Sequence, residues 1–478
     1  MYSTQGLLKG DLCMGTKNTL LGGALSQRIL QEARRIVLVG IGGIGMSCLA
    51  QLFLHQNKSV TGQDTTTNQY TKALEQLGVN ILYHNDAFPL FSGDVLVYTA
   101  AVSPTHPTLV KAKAMGLPIL SRADALAGIM EHEATKIAVA GMHGKSTTTA
   151  ILGHILKTAQ MHPTVVCGGE MTEEQTPLLI GKNTFLFEAC EYMSSFLSFS
   201  PHLSVLLNLE WEHTDCFPKE EDAVAAFRQF ANQSKRLVLG YDSPLLRPFG
   251  KGKEHIFYSV SDRGADVYGG EIYQTATGHR FTVYQNSQPL FEAELPLLGK
   301  MNVSNALAAT ASALMLGVKY ENIAYSLSKE TGIKRRLEHK GFLGKTPIFD
   351  DYAHHPTEIL ASIEALRPSV KGKLYVLFQS HTYSRTKAFF SEIVLALRCA
   401  DQVLVADIYP ARETDTKGVS GEALALAIGS KAFYISSFRK GADYLIRHVR
   451  EEDAVIVMGA GNVGNVFSFL PISRNKIL

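Results

Sequence analysis

Apolar residues fall in short runs, each closed by a glycine turn or an acid and followed by a stretch with helical spacing. Runs of this kind bounded by turn residues predict buried strands, and their alternation with helices predicts a doubly wound α/β chain. The pattern places strands at residues 35–39, 59–62, 94–98, 136–140, 185–187, 203–208, 346–349, 374–378, 402–406 and 454–458. Helices are expected near 20–31, 46–57, 70–77, 108–115, 145–159 and 302–316. From 253 to 296 the pattern turns to alternation, as in Phe281-Thr282-Val283-Tyr284, which predicts a small insertion of antiparallel strands.

At ~100–200 residues per domain, 478 residues suggest about three domains. The pattern divides them into an extension at 1–34, a Rossmann-like domain at 35–131, a central phosphate-loop domain carrying the β insertion at 132–332, and a doubly wound α/β domain at 333–478. The 46 basic and 44 acidic residues nearly balance, which gives no sign of a nucleic-acid partner. The six cysteines are scattered without a C-x-x-C pair, so a disulfide framework is not expected and a reducing, cytoplasmic setting is. No apolar run approaches the ~18 residues of a membrane span, and the N-terminus lacks the apolar core of a signal peptide. Monomer and homodimer are equally compatible with this composition.

Two glycine turns carry the clearest chemistry. Gly141-Met142-His143-Gly144-Lys145-Ser146-Thr147 follows a strand and opens a helix. Glycines admit close backbone approach, helix N–H groups face an anion, Lys145 adds a point charge, and Ser146 or Thr147 offers a hydroxyl to Mg²⁺. The strict phosphate-loop pattern G-x-x-x-x-G-K-[ST] sets its first glycine farther upstream than Gly141, so this is a shorter form. Gly40-Ile41-Gly42-Gly43-Ile44-Gly45 also joins a strand to a helix, and the next strand ends near Asp64. That order suits a diphosphate ligand, of which NAD is one among several. Ser103 lies in a loop at a strand's carboxyl end. Glu188 and Glu191 end one strand of the central unit, and Asn208, Glu210 and His213 end another. Both clusters are expected at one edge of a parallel sheet beside the phosphate loop, as a Mg²⁺-nucleotide site requires. The turn Gly459-Ala460-Gly461-Asn462 lacks the downstream strand and acid of a second dinucleotide site.

Taken together, these motifs closely resemble the Mur ligases of peptidoglycan synthesis, from about residue 35 to the end. The resemblance is carried by Val39 to Ser47, Gly141 to Thr149, Glu188-Ala189-Cys190-Glu191-Tyr192, Asn208-Leu209-Glu210, Asp350-Asp351-Tyr352-Ala353-His354-His355-Pro356, Asp407 to Glu413 and Gly418-Val419-Ser420. It implies three α/β domains that bind in turn a UDP-sugar, ATP and an amino acid. It further implies ATP- and Mg²⁺-dependent joining of L-alanine to UDP-N-acetylmuramate through an acyl phosphate. On this resemblance the first turn holds the UDP-sugar rather than NAD. Lys145 would hold the β/γ-phosphates, and Glu188 and His213 would join Ser146 or Thr147 on Mg²⁺. Asn302 would contact adenine, and Arg335 or Arg336 with Asp350 or Asp351 would reach the nucleotide. Tyr352, His354, His355, His381 and Arg385 would face the acyl phosphate and the amino acid. Met142, Ser146, Met301 and Ser380-His381-Thr382 depart from common family patterns.

Overall fold

The computed structural model describes residues 21–210, 216–411, 413–414 and 418–473. Residues 1–20 of the expected extension, His213 and Arg412 lie outside them. The chain forms two compact units. The first comprises Met1–Gly270, Val283–Phe291 and Asn305–Ser326, and the second Glu271–Thr282, Glu292–Ser304 and Leu327–Leu478.

The first unit begins with α1 (Gly23–Glu32), which packs against α5 (Arg122–Ile129). Gly128 is what allows this closeness: a Cβ there would stand 2.9 Å from the Gln27 nitrogen. A five-stranded parallel sheet follows, ordered β3-β2-β1-β4-β5, from β1 (Arg35–Val39), β2 (Val60–Asp64), β3 (Asn80–Tyr83), β4 (Asp94–Tyr98) and β5 (Ile119–Ser121). Its helices include α2 (Ile44–His55), α3 (Gln69–Gln76) and α4 (Pro107–Ala114). Ile36, Val37, Leu38 and Val39 are all buried, as expected of a strand covered on both faces.

The central sheet is built on β6 (Thr135–Ala140), which leads through the phosphate loop into α6 (Lys145–Thr158). Its other strands are β7 (Thr164–Met171), β8 (Thr176–Leu179), β9 (Thr184–Glu188), β10 (Leu203–Leu206), β11 (Arg236–Gly240) and β12 (Glu254–Ser259). They run β12-β11-β10-β6-β9-β7-β8. Both neighbours of β6 are parallel to it, with Val139 opposite Glu188 and Ala140 opposite Leu206. Glu188 and the Asn208 segment therefore leave the sheet at the edge where the phosphate loop stands.

The expected antiparallel insertion differs at its start. β12 is parallel to β11, with Leu239 opposite Phe257, and so extends the central sheet. The connection between them has about the dozen residues that a parallel crossover needs. β13 (Val267–Gln274) is parallel to β12 in turn, and β14 (His279–Gln285) and β15 (Gln288–Leu295) follow.

The second unit holds a seven-stranded sheet ordered β20-β19-β18-β21-β17-β16-β22. Its strands are β16 (Glu338–Leu343), β17 (Thr346–Asp351), β18 (Leu374–Phe378), β19 (Gln402–Val405), β20 (Ala432–Tyr434), β21 (Ala454–Met458) and β22 (Ile472–Ser473). The run from β20 to β17 is parallel, and β16 is antiparallel to β17. The ends of β17, β18 and β21 thus share one edge. Among the described residues no helix is long and apolar enough to cross a membrane.

Candidate active site

The first glycine turn is held by its own neighbours. Gly40 sits at φ +81°, which glycine adopts without strain. The Gly42 N–H donates to Asp64 Oδ2 at 2.7 Å, and Asn68 Nδ2 donates to the Gly42 carbonyl at 3.0 Å. Asn68 also caps α3, accepting from the N–H groups of Tyr70 and Thr71 at 2.9 and 3.0 Å. Asp64 therefore shapes the turn. Ile41 is buried beneath it, while Gly43 and Ile44 lead into α2. A Cβ on Gly45 would lie 3.3 Å from Arg122 Cδ and 3.4 Å from Nη1, so a half-buried guanidinium stands beside the start of α2. No motif singles out Arg122 in the sequence. The signal was available, since it is a cation directly after a strand of the same sheet. Ser103 lies in an exposed loop, its Oγ 2.7 Å from that of Thr105.

The phosphate loop is clamped from β10. Asn208 Oδ1 accepts the His143 N–H at 2.9 Å, and its Nδ2 donates to the His143 carbonyl at 3.1 Å. The His143 ring lies 3.7 Å from Glu210. Gly141 has φ +146° and Gly144 φ +82°, and Met142 is buried under the loop. Lys145 Nζ donates to the Gly141 and Met142 carbonyls at 2.6 and 3.1 Å and pairs with Glu191 at 3.0 Å. Burial works against this charge, but Glu191, with weaker help from Cys190 and Glu188, holds the ammonium above its ordinary pKa. Glu191 is 2% exposed. It is thus the internal counter-ion of Lys145, a role the strand-end pattern did not separate from that of Glu188. Asn305, on the helix Lys300–Met315, packs against Gly144 and accepts from Thr148 Oγ1 at 3.3 Å.

Glu188 accepts from the Gly168 N–H, and Cys167 Sγ lies 3.5 Å from both a Glu188 oxygen and the Ser146 carbonyl. Cys167 thus links Glu188 to the first turn of α6, where Ser146 and Thr147 stand, and carboxylate and hydroxyl oxygens are the donor types that a small divalent cation takes. Behind the same helix His154, Glu173 and Glu174 form another cluster, but Lys157 already occupies one Glu174 oxygen at 2.9 Å and His154 the other at 2.9 Å.

In the second unit β17 and β18 bring the remaining candidates to one edge. Arg335, at φ +61°, donates to the carbonyls of Gly459 and Gly461, so the last glycine turn receives an arginine. Its guanidinium also lies 3.6 Å from Asp350 and over the Tyr352 ring at 5.1 Å. Arg336 stands 5.2 Å from the same ring and 3.6 Å from Glu358. Asp351 accepts from Ser362 Oγ. His354 and His381 face each other with ring centroids 5.7 Å apart, and His381 stacks on Tyr409 at 5.7 Å. Arg385 acts electrostatically on both imidazoles. His355 instead precedes the helix Pro356–Leu366 and turns its ring edge to Phe389. Asn302 is buried and donates to the Leu298 carbonyl at 2.7 Å.

Burial pushes Asp350 up to about 6 against the pull of Arg335, and Asp351 up to about 6 against its Ser362 hydrogen bond. Burial pushes His354 and His381 down to about 4. These shifts oppose each other in linkage. The aspartates bind protons in the folded chain over a range where the unfolded chain has released them. The stability they add is present in acid and lost as pH rises through about 6. The histidines bind protons in the unfolded chain first, so their contribution is lost as pH falls from about 6.5 toward 4. The two aspartates and the two histidines therefore work in opposite directions across the same pH range and offset each other. Asp350→Asn leaves two histidines against one aspartate. Its melting temperature should therefore fall more steeply than that of the wild type between pH 6 and 4.5. Melts at half-unit steps measure this, and parallel curves would rule the balance out.

The comparisons with known proteins agree with this architecture. The description "Mur ligase family, catalytic domain" matches residues 35–134, "Mur ligase middle domain" 139–313, and "Mur ligase, glutamate ligase domain" 335–461. A UDP-N-acetylmuramate–L-alanine ligase from Agathobacter rectalis is 38% identical over 448 residues, spanning 90% of this chain and 95% of that protein. One of the same name from Acetivibrio thermocellus is 36% identical, over 91% and 94%. The crystal structure of a UDP-N-acetylmuramate-alanine ligase from Thermotoga maritima superposes with a TM-score of 0.80 at 25% identity, covering 91% of this chain and 98% of that one. A murein peptide ligase from Psychrobacter arcticus shares the fold at a TM-score of 0.65 and 22% identity, over 91% and 98%. With all three family descriptions matched in order and relatives this similar along nine-tenths of its length, the chain belongs to the Mur ligase family.

Proposed function

We propose that this protein is a cytoplasmic, ATP-dependent ligase that joins L-alanine to the lactyl carboxylate of UDP-N-acetylmuramate. The products are UDP-N-acetylmuramoyl-L-alanine, ADP and phosphate. One observation carries the reading: a half-buried lysine, held ready by Glu191 and two loop carbonyls at a helix start, in a chain whose relatives bear this activity in their names.

In the first step the substrate carboxylate attacks the γ-phosphorus and ADP leaves, giving an acyl phosphate. Two anions must approach, so the step depends on cancelling their repulsion. We assign that task to Lys145 and to the N–H groups of the loop 141–147. The backbone of the loop takes the phosphates, and its path depends on Gly141 at φ +146° and Gly144 at φ +82°. Glu188 with Ser146 or Thr147 and His213 would hold a Mg²⁺ ion, which would supply further positive charge to the phosphates. We assign the turn from Gly40 to Gly45 to the UDP-sugar diphosphate, with Arg122 as its cation, Asp64 shaping the turn and Ser103 at its margin.

In the second step the amine of L-alanine attacks the acyl carbon, and the tetrahedral intermediate expels phosphate. We assign Tyr352, His354, His381 and Arg385 to this stage, with His355 anchoring the helix behind them. Imidazoles pushed down to about 4 are uncharged at neutral pH, so they offer lone pairs to an incoming amine instead of repelling it. Arg335, Arg336, Asp350 and Asp351 are assigned to the nucleotide, and Asn302 to the adenine.

The test is phosphate release from ATP with Mg²⁺ and UDP-N-acetylmuramate, adding L-alanine, glycine, L-serine or murein tripeptide in separate reactions. Release requiring both the UDP-sugar and L-alanine is expected. Release with tripeptide alone would make the protein a murein peptide ligase, and release with none of them would refute the reading. Arg122→Ala should raise the KM for the UDP-sugar about tenfold or more, from loss of one charge-assisted contact, and leave the KM for ATP within about twofold. Equal changes in both would remove Arg122 from the first turn's site.

A further inference from the structure

We infer that Glu170 is a positioning residue that fixes the spacing between the glycine turn at 40–45 and the phosphate loop at 141–145. This rests on the reading above, in which the first holds the UDP-sugar and the second ATP.

Glu170 lies in β7, outside both loops. Its Oε1 accepts from two side chains of α3: Gln69 Nε2, and Tyr70 Oη at 3.0 Å. These are the first two residues of that helix. The residue before them is Asn68, whose side chain holds the Gly42 carbonyl at 3.0 Å. From Glu170 the chain thus reaches the first turn through a helix start and its cap. In the other direction, Gly168 lies two residues before Glu170 and donates to Glu188. β7 also runs parallel to β9, with Val166 opposite Phe187, so the segment bearing Glu170 is in register with the strand that ends in Glu188. One carboxylate therefore joins the two sheets of the first unit, with the glycine turn behind one end and the oxygen donors beside Lys145 behind the other. A negative group at the start of α3 is also favoured by the helix dipole.

The consequence is kinetic. A carboxylate on one ligand must come within about 3–3.5 Å of a phosphorus on the other, and a misplacement of about 1 Å can cost a hundredfold in rate. Each loop is braced internally, so loosening the link between them should leave each ligand's binding intact while spoiling their mutual approach.

The experiment compares four proteins: wild type, Glu170→Ala, the double variant Gln69→Ala with Tyr70→Phe, and the combination. Glu170→Ala should lower kcat about tenfold or more while the dissociation constants for ATP and UDP-N-acetylmuramate, each measured alone, change less than about threefold. The α3 double variant should lose a similar factor, and the combination should lose no more than either, because all three break one linkage. A fifth protein, Glu170→Gln, keeps an accepting oxygen and should retain most of kcat. Unchanged kcat in Glu170→Ala, or losses that multiply in the combination, would overturn the proposal. Thermal melts of the same four proteins examine the link without substrate. Non-additive midpoints are expected, and additive ones overturn it whether or not the enzyme turns over. A wild type without UDP-sugar-dependent phosphate release fails the functional reading separately.

Discussion

Lys145→Ala is expected to lower turnover by a factor of about a thousand or more, because it removes the charge on which carboxylate attack at a triphosphate depends. The size of the effect follows from the surroundings of Lys145. Its half-buried ammonium is aimed by two loop carbonyls and balanced by the buried Glu191, so water cannot replace it cheaply. The same burial complicates the test. Removing Lys145 leaves the Glu191 carboxylate buried without its cation, and breaking such a pair costs about 3–5 kcal/mol unless the acid takes up a proton. Lys145→Ala combined with Glu191→Gln removes both charges. The combination should regain most of the lost melting temperature and none of the lost turnover. Phosphate release and thermal melts on the two variants measure this. Turnover near wild type in either would take Lys145 out of the chemistry, and recovery of turnover with stability would make its role purely structural.

Gly144→Ala should weaken ATP binding about a hundredfold, for two separable reasons. The residue sits at φ +82°, where a side chain costs roughly 1–2 kcal/mol. In addition, a Cβ there would lie 2.3 Å from Asn305 Oδ1, far inside contact distance. Asn305 is not free to swing away, since Thr148 donates to the same oxygen at 3.3 Å. The alanine must therefore push the loop off its path or displace the helix that carries Asn305. Asn305→Ala opens the space but leaves the backbone cost. The pair Gly144→Ala with Asn305→Ala should accordingly recover part of the affinity, to within about tenfold of the Asn305→Ala protein. Nucleotide titration of the three variants measures this. No recovery at all would mean that the backbone angle alone decides the loop's shape.

The sequence carried the skeleton of this site because parallel strands buried on both faces leave unmistakable apolar runs. Once β6, β9 and β10 are known to be parallel neighbours, Glu188 and Asn208 have nowhere to be except beside the phosphate loop. What could not be read are choices between chemically equal neighbours. Glu188 and Glu191 follow the same strand, yet one faces the head of α6 and the other is the buried partner of Lys145. His354 and His355 are adjacent, and only the geometry at the start of the next helix turns one toward His381 and the other toward Phe389. Asn305 stands one helical turn beyond Asn302, and it is the one that packs on Gly144. Asp64 is legible as the acid that ends the strand after the first turn, but its reach to the Gly42 N–H depends on how the ends of β1 and β2 align. The destination of Arg335 at Gly459 and Gly461 depends on a contact more than a hundred residues away in sequence, which no local pattern encodes.

The double hydrogen bond between Asn208 and the main chain of His143 fixes the path of the loop without help from any ligand. A nucleotide then selects from very few backbone states on arrival. Little ordering entropy is lost, and affinity is not diluted by a small competent fraction. For the nucleotide proposed above, the loop is thereby a preformed seat whose ordering does not draw on the energy of binding.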